Sequence, residues 1–184
     1  MRKVILCCIW TSTTLVAIFL SACLAENQKM PNVSLTAAIE KPIGSLGTPF
    51  TFKNVRYTPL EYIVTREIDG KACEKEGDQY LLLHIEIENL GSIASTIIEE
   101  GSENIDAYYN GTQLYKVPIW FRNSFKVDDV DYEIYPVSGC IYTGRSMGGW
   151  IAYYVPLSFD VNAVKIVMCY WEKRWNYLAW TLLN

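Results

Sequence analysis

Histidine occurs once in the 184 residues, at His84. A catalytic imidazole needs a nucleophile or a metal to serve, and no Gly-x-Ser-x-Gly elbow or comparable nucleophile setting accompanies it. Cysteine is nearly as sparse. Beyond residue 23 only Cys73, Cys140 and Cys169 remain, none at metal-site spacing from another, which argues against structural zinc. Basic residues are outnumbered, 16 Lys and Arg against 20 Asp and Glu, so the chain has no surplus for the basic face that nucleic acid requires. Also missing after residue 23 is any apolar stripe at helical spacing over ten or more residues, which excludes a long amphipathic helix.

What is present begins at the N-terminus. Arg2-Lys3 precedes an apolar run from Val4 to Leu20, closed by Leu20-Ser21-Ala22-Cys23. A positive start, an apolar stretch and small residues before a cleavage point describe a secretory signal. Thr11-Ser12-Thr13-Thr14 interrupts the run, which is short for a spanning helix. The segment resembles a lipoprotein signal with a lipobox, which implies cleavage after residue 22 and acylation of Cys23. Several acyl chains on one cysteine give stable membrane attachment outside the cytoplasm. By the same resemblance, Leu24 after the lipidated cysteine favours the outer membrane in a two-membrane host, and a single-membrane host leaves the protein on its plasma membrane. Removing residues 1–22 leaves 162 residues with 14 Lys and Arg against 20 Asp and Glu, enough for one domain with its own core.

Residues 23–47 are polar and punctuated by Pro31, Pro42, Gly44 and Gly47, and read as a tether between anchor and domain. Asn32-Val33-Ser34 and Asn110-Gly111-Thr112 fit the N-glycosylation triplet. Three thiols outside the cytoplasm permit one disulfide. Cys73 and Cys140 lie in polar connections and are the expected pair, with Cys169, inside an apolar strand pattern, as a small buried hydrophobe.

From residue 48 to 184 the periodicity is two. Along Gln79 to Asn89, Leu81, Leu83, Ile85 and Ile87 point one way while Leu82, His84, Glu86 and Glu88 point the other, as in a half-buried antiparallel strand. Phe50-Thr51-Phe52 and Val55-Arg56-Tyr57 are out of phase, which predicts a bulge or bend at Lys53-Asn54, and Pro59 predicts a break before Glu61 to Glu67. Asn110-Gly111 between alternating segments is a strong hairpin signal. Gly149 to Val155 and Ala163 to Tyr170 are apolar on both faces and read as central strands; Trp175 to Leu183 alternates and closes the domain. Residues 118–136 are weakly patterned, with a helical turn or an edge strand near Val117 to Phe125. Eight or so short strands indicate an all-β sandwich or barrel. Thirteen Tyr and six Trp suit pleated surfaces.

Three clusters could carry chemistry. Asp128, Asp129, Asp131 and Glu133 offer alternating oxygens but lack the glycine and terminal spacing of an EF-hand loop, and read as a solvated loop. Glu99, Glu100 and Glu103 form a similar acidic patch. Trp171, Trp175 and Tyr177, around Lys173 and Arg174, are candidate ligand-stacking residues, with packing in a sandwich core and an aromatic edge as the favoured reading; alternation puts Trp180 on the opposite face of the strand.

Tyr80-Leu-Leu-Leu-His-Ile-Glu-Ile-Glu-Asn-Leu-Gly91 and Tyr142-Thr-Gly-Arg-Ser-Met-Gly-Gly-Trp-Ile-Ala-Tyr-Tyr-Val-Pro156 resemble, over roughly residues 43–182, the telokin-like, immunoglobulin-like domain of prokaryotic surface lipoproteins. Thr143 stands where that family often has Pro, and the stretch from Val117 to Val137 is longer than its pattern. The resemblance implies an immunoglobulin-like antiparallel β-sandwich on a lipid anchor and supplies no catalytic residues. The expectation is a non-enzymatic binding module without cofactor or metal, attached to the membrane through Cys23. Its partner would be an envelope protein or, by stacking on exposed Trp and Tyr, a glycan or solute.

Overall fold

The computed structural model describes residues 33–96, 103–118, 123–134, 140–171 and 175–183, with backbone alone at 95, 96, 103, 104 and 171. The elements are α1 (Leu35–Glu40), β1 (Gly44–Ser45), β2 (Phe50–Phe52), β3 (Val55–Thr65), β4 (Glu67–Ile68), β5 (Lys71–Ala72), β6 (Asp78–Asn89) and β7 (Ser95–Thr96). They continue with β8 (Glu103–Tyr109), β9 (Thr112–Gln113), β10 (Ser124–Val127), β11 (Val130–Glu133), β12 (Cys140–Ile141), β13 (Ser146–Pro156), β14 (Val164–Trp171) and β15 (Trp175–Thr181).

Two sheets form an antiparallel β-sandwich. One has the order β13-β6-β3-β2 and the other β1-β15-β14-β8-β9. Alternation along β6 decides the packing. Leu81, Leu83, Ile85 and Ile87 enter a shared core with Ile166 and Met168 of β14 and Leu178 and Trp180 of β15. Each fully buried aliphatic side chain of this set contributes about 1.5–3 kcal/mol. The Tyr153 hydroxyl donates across the core to the Ile105 carbonyl at 3.0 Å, and the Trp180 indole N–H donates to the Thr48 carbonyl at 2.9 Å, so the polar tips of the large aromatics are satisfied.

The doubly apolar strands are explained by what lies outside the sandwich. Leu82, Trp150 and Ala152 face outward from the four-stranded sheet and pack with Ile68, Phe125 and Val127 of the β4–β5 and β10–β11 hairpins. On the other sheet Val167 and Ala179 pack against Ala38 of α1. Ser34 caps this helix, its Oγ accepting from the Ala37 amide at 3.2 Å. Six residues cannot sustain a helix alone; the small side chains at 38 and 179 let it lie close to the sheet.

Several expectations are corrected by this geometry. The segment read as tether to residue 47 is folded from Val33 on: α1 lies on β15, and β1 pairs in parallel with β15 through Gly44↔Trp180. Of the bulge or bend expected at Lys53-Asn54, the chain makes the bend, a two-residue hairpin turn with φ 47° and 65° as a type I′ turn requires. Pro59 does not end β3. The register shifts between Pro59 and Glu61, leaving Leu60 as the bulged residue, and the Pro59 carbonyl accepts from the Gly47 amide at 2.7 Å. The Asn110-Gly111 hairpin is formed, but its second arm leaves its sheet after β9: the Tyr154 amide donates to Tyr115 and the Val117 amide to Ala152 along β13. The weakly patterned region holds the β10–β11 hairpin, turned at Asp128–Asp129 with φ 49° and 64°.

The predicted Cys73–Cys140 disulfide is absent: Cys73, Cys140 and Cys169 are free thiols. Cys73 follows β5 and packs half-buried beside Tyr80, whereas Cys140 is exposed on β12, which pairs with β7. Residues 1–22, Cys23, Asn32, Glu99, Glu100 and the side chains of Glu103 and Trp171 lie outside the described residues. Among the described residues no helix is long and apolar enough to cross a membrane.

Candidate functional site

The outward face of β6 and its neighbours carries a groove with convergent aromatic and ionisable groups. His84 stands opposite Trp150 in the β6–β13 register, and the two rings stack at 4.9 Å with planes 10° apart. Tyr132, brought over the sheet by the parallel bridge between Ile134 and Trp150, meets the indole edge-on at 5.0 Å and 84°. Phe125 stacks behind Tyr132 at 5.7 Å. Trp150 is 6% exposed, so this aromatic stack is chiefly a wall.

Two backbone features position the imidazole. The bulge at Leu60 sets Glu61, rather than Leu60, opposite His84, and Glu61 Oε1 lies 3.3 Å from His84 Nδ1. On the other flank a Cβ at Gly148 would sit 2.9 Å from His84 Nε2, so glycine is what admits the ring there. Leu60, Glu86, Asp131, Glu133 and Gly149 complete an open groove of about 350 Å³. None of its lining residues is Lys or Arg, although Asp131 Oδ2 is 4.0 Å from Lys126 Nζ. The groove therefore combines an apolar wall, an imidazole that can donate or accept, and the carboxylates of Glu61, Glu86, Asp131 and Glu133. Such a surface suits ligand groups that are cationic or rich in hydrogen-bond donors.

Beyond the groove on the same face lies a phenol–thiol cluster. Burial pushes the Tyr80 phenol up to about 12, with Cys73 and Tyr154 adding to the shift. Burial raises Tyr154 as well, reinforced by Glu74 and Cys73. Among the described residues no group of three or more His, Cys, Asp or Glu is arranged to hold a metal ion.

The stacking residues predicted at the C-terminus fare differently. Trp175 is 44% exposed at the start of β15, opposite the backbone of Trp171. Tyr177 is packed with Val33, Leu35 and Ile39 around α1, and burial, reinforced by Cys169, raises its phenol. Burial likewise raises the Cys169 thiol, partly offset by its hydrogen bond with Tyr177. Tyr177 and Trp175 share one face of β15, the first half-buried and the second exposed. Sequence reasoning named His84, Glu86, Asp131 and Glu133 in separate places, and missed Trp150, Tyr132 and Glu61. The pair Gly148-Gly149 inside a strand pattern was the available signal, since glycine in a strand often marks a close approach.

No family model and no curated protein sequence matches the chain. Solved structures similar to it include the yjhA protein of Bacillus subtilis, at 15% identity and TM-score 0.45 over 68% of this chain and 81% of that one. A β-sandwich protein of Clostridium difficile 630 aligns at 12% identity and TM-score 0.46 over 78% and 95%. A chain of Bacillus subtilis strain 168 described as a candidate lipoprotein, ycdA, aligns at 10% and 0.46 over 72% and 38%.

Proposed function

We propose that the protein is a non-enzymatic binding module, held outside the cytoplasm by acyl chains on Cys23, and that the groove between β6, β13 and the β10–β11 hairpin is its recognition site. The observation that supports this is the convergence of His84, Trp150, Glu61 and Glu86 on a rigid sheet face with Tyr132, Asp131 and Glu133 of the hairpin that stands on it. The ligand is a group bearing positive charge, such as a Lys- or Arg-containing segment of an envelope protein. Nucleic acid is disfavoured by a groove of this sign. The finer family reading, an immunoglobulin-like lipoprotein domain of the telokin-like group, belongs with this proposal and rests on the sequence resemblance alone.

Two measurements test it. Intact mass of membrane-extracted protein is expected to start at residue 23 with lipid attached, and to lose the lipid in Cys23→Ala; an unprocessed mass refutes the anchor. Titration with a Lys/Arg-rich peptide is expected to change tryptophan emission, with the response falling in Glu61→Gln/Asp131→Asn and at high salt. Equal responses to a neutral peptide refute the charge assignment. A glycan reading draws on Trp175, which is 44% exposed where Trp150 is 6% exposed. A response to neutral glycans that disappears in Trp175→Ala would favour it.

A further inference from the structure

The two ends of the sandwich differ in chemistry. Ring contacts between Tyr170 of β14 and Phe52 of β2, 4.6 Å between centroids, place the end of β14 and the start of β15 at the same end as the Lys53–Asn54 turn, the loop after Asn89 and the turn before β13. At that end Leu90 is 47%, Ile93 75% and Tyr142 73% exposed, and Trp175 joins them. The described loops there, Lys53-Asn54, Leu90 to Ala94 and Tyr142 to Arg145, contain two basic residues and no acidic one, while Glu103 opens β8 opposite Tyr170 at the same end. The opposite end carries Asp69, Glu74, Glu76 and Asp160 in its turns beside Lys71 and Lys75, with Leu157 49% exposed.

The apolar display is built, not loose. Asn89 is buried at the end of β6, and its Nδ2 donates to the carbonyls of Ile93 at 2.7 Å and Ile141 at 2.8 Å while its Oδ1 accepts from the Gly91 amide at 2.8 Å. The Leu90 amide donates to Asn54, and the Gly144 amide to the Asn89 carbonyl. One side chain thus holds both loops in place with their apolar residues outward, so little ordering entropy remains to oppose docking.

The described residues begin at Val33, whose carbonyl accepts from the Tyr177 amide at 3.2 Å, two residues along β15 from Trp175. Only nine residues separate Val33 from Cys23, a reach of at most about 35 Å even fully extended. A lipid on Cys23 would therefore hold this end close to the bilayer at high effective concentration.

From the exposed Leu90, Ile93, Tyr142 and Trp175, the flanking Lys53 and Arg145, and the short reach to Cys23, we infer that this end of the sandwich docks on the lipid surface. Trp and Tyr belong at the headgroup level, where an apolar ring and a polar tip are both accommodated, and Lys and Arg are drawn to anionic headgroups. Docked this way, the domain presents its groove sideways, on a sheet face rather than at the membrane-facing end. The inference rests on the acylation of Cys23 for its reach, and on the structure for the docking surface.

The test uses mature lipidated protein in vesicles of phosphatidylethanolamine and phosphatidylglycerol containing brominated acyl chains. Tryptophan quenching is expected in the wild type and is expected to drop in Trp175→Phe, while a tryptophan added at the opposite end by Ser158→Trp stays unquenched. Ile93→Asp/Tyr142→Asp is expected to abolish the Trp175 quenching although the lipid still holds the protein on the vesicle. In the unlipidated Cys23→Ala protein the same pair should weaken vesicle partition by on the order of ten-fold. Protein that carries lipid and stays on vesicles without Trp175 quenching overturns the docking and leaves the anchor standing; so does self-association through this end, seen as cross-linked dimers with no quenching. If the mass shows no lipid, the anchor reading fails and the docking is judged on unlipidated protein alone: Trp175 quenching upholds it, and none refutes it.

Discussion

The two outer faces of the sandwich are finished in different ways, although both are rich in aromatics. The five-stranded sheet is covered at its middle by α1, with Ala38 against Ala179 and Val167, and Trp175 stays exposed beyond it. The four-stranded sheet is covered by hairpins whose rims are acidic and whose underside is apolar, and the incomplete cover leaves a groove. A helix laid on small residues seals a face; a hairpin standing on a Trp–Tyr contact leaves room at its edge. The lesson is that aromatic content alone does not locate a binding surface, since Tyr177 is consumed by packing and Trp150 builds a wall.

The comparison breaks most severely at Trp150. Trp150→Ala is expected to cost about 3–5 kcal/mol, because the indole supports both His84 and the β10–β11 hairpin, and thermal unfolding should show the loss; a variant as stable as the parent would mean that the hairpin is held elsewhere. Next comes the helix face, where Ala38→Leu overfills the contact with Val167 and Ala179 and should cost about 1–3 kcal/mol, with the groove's ligand response unchanged. A groove that also fails would show that the two faces are coupled.

Alkali sharpens the contrast. The Tyr80 phenol, pushed up to about 12 from 10.0, favours the protonated form in the folded state. Its contribution is fully present below the unfolded value near 10 and is lost as the pH rises through about 12. Denaturant unfolding should therefore show stability falling across that window, less so in Tyr80→Phe; an identical profile in the variant would assign the loss to other groups. Gly148→Ala should cost about 1 kcal/mol by displacing the imidazole from Glu61, and nuclear magnetic resonance should show the His84 signals moved and ligand affinity reduced. Unchanged signals would mean the ring has room that the geometry denies it. The smallest effect belongs to Trp175→Phe, within about 0.5 kcal/mol of the parent; a larger loss would make Trp175 a packing residue after all.

The parts legible in advance share one property: their physics is local. Period-two alternation along β6 and β15 assigned faces correctly, and Asn110-Gly111 marked a hairpin because glycine and asparagine accept positive φ. Lys53-Asn54 and Asp128-Asp129 use the same conformation with weaker residues, and were read as a bend and a solvated acidic loop. Pro59 was read as a break because proline lacks a donor; a bulge absorbs it. The helix α1 was invisible, since six residues make no periodic signal and its stability lies in the sheet beneath it.

By itself the sequence determined the class of structure: alternation, turn residues and the lack of helical stripes indicate an all-β sandwich or barrel, and the N-terminal run with Cys23 defines the expectation of a lipid anchor. Only the tertiary structure decided the site. Glu61, His84, Asp131 with Tyr132, and Gly148 with Trp150 come from four separate segments, and they meet because a bulge, a hairpin crossing and a glycine bring them to one patch. Contacts between residues so far apart leave no trace in spacing, since what joins them is sheet register and packing rather than neighbouring chain.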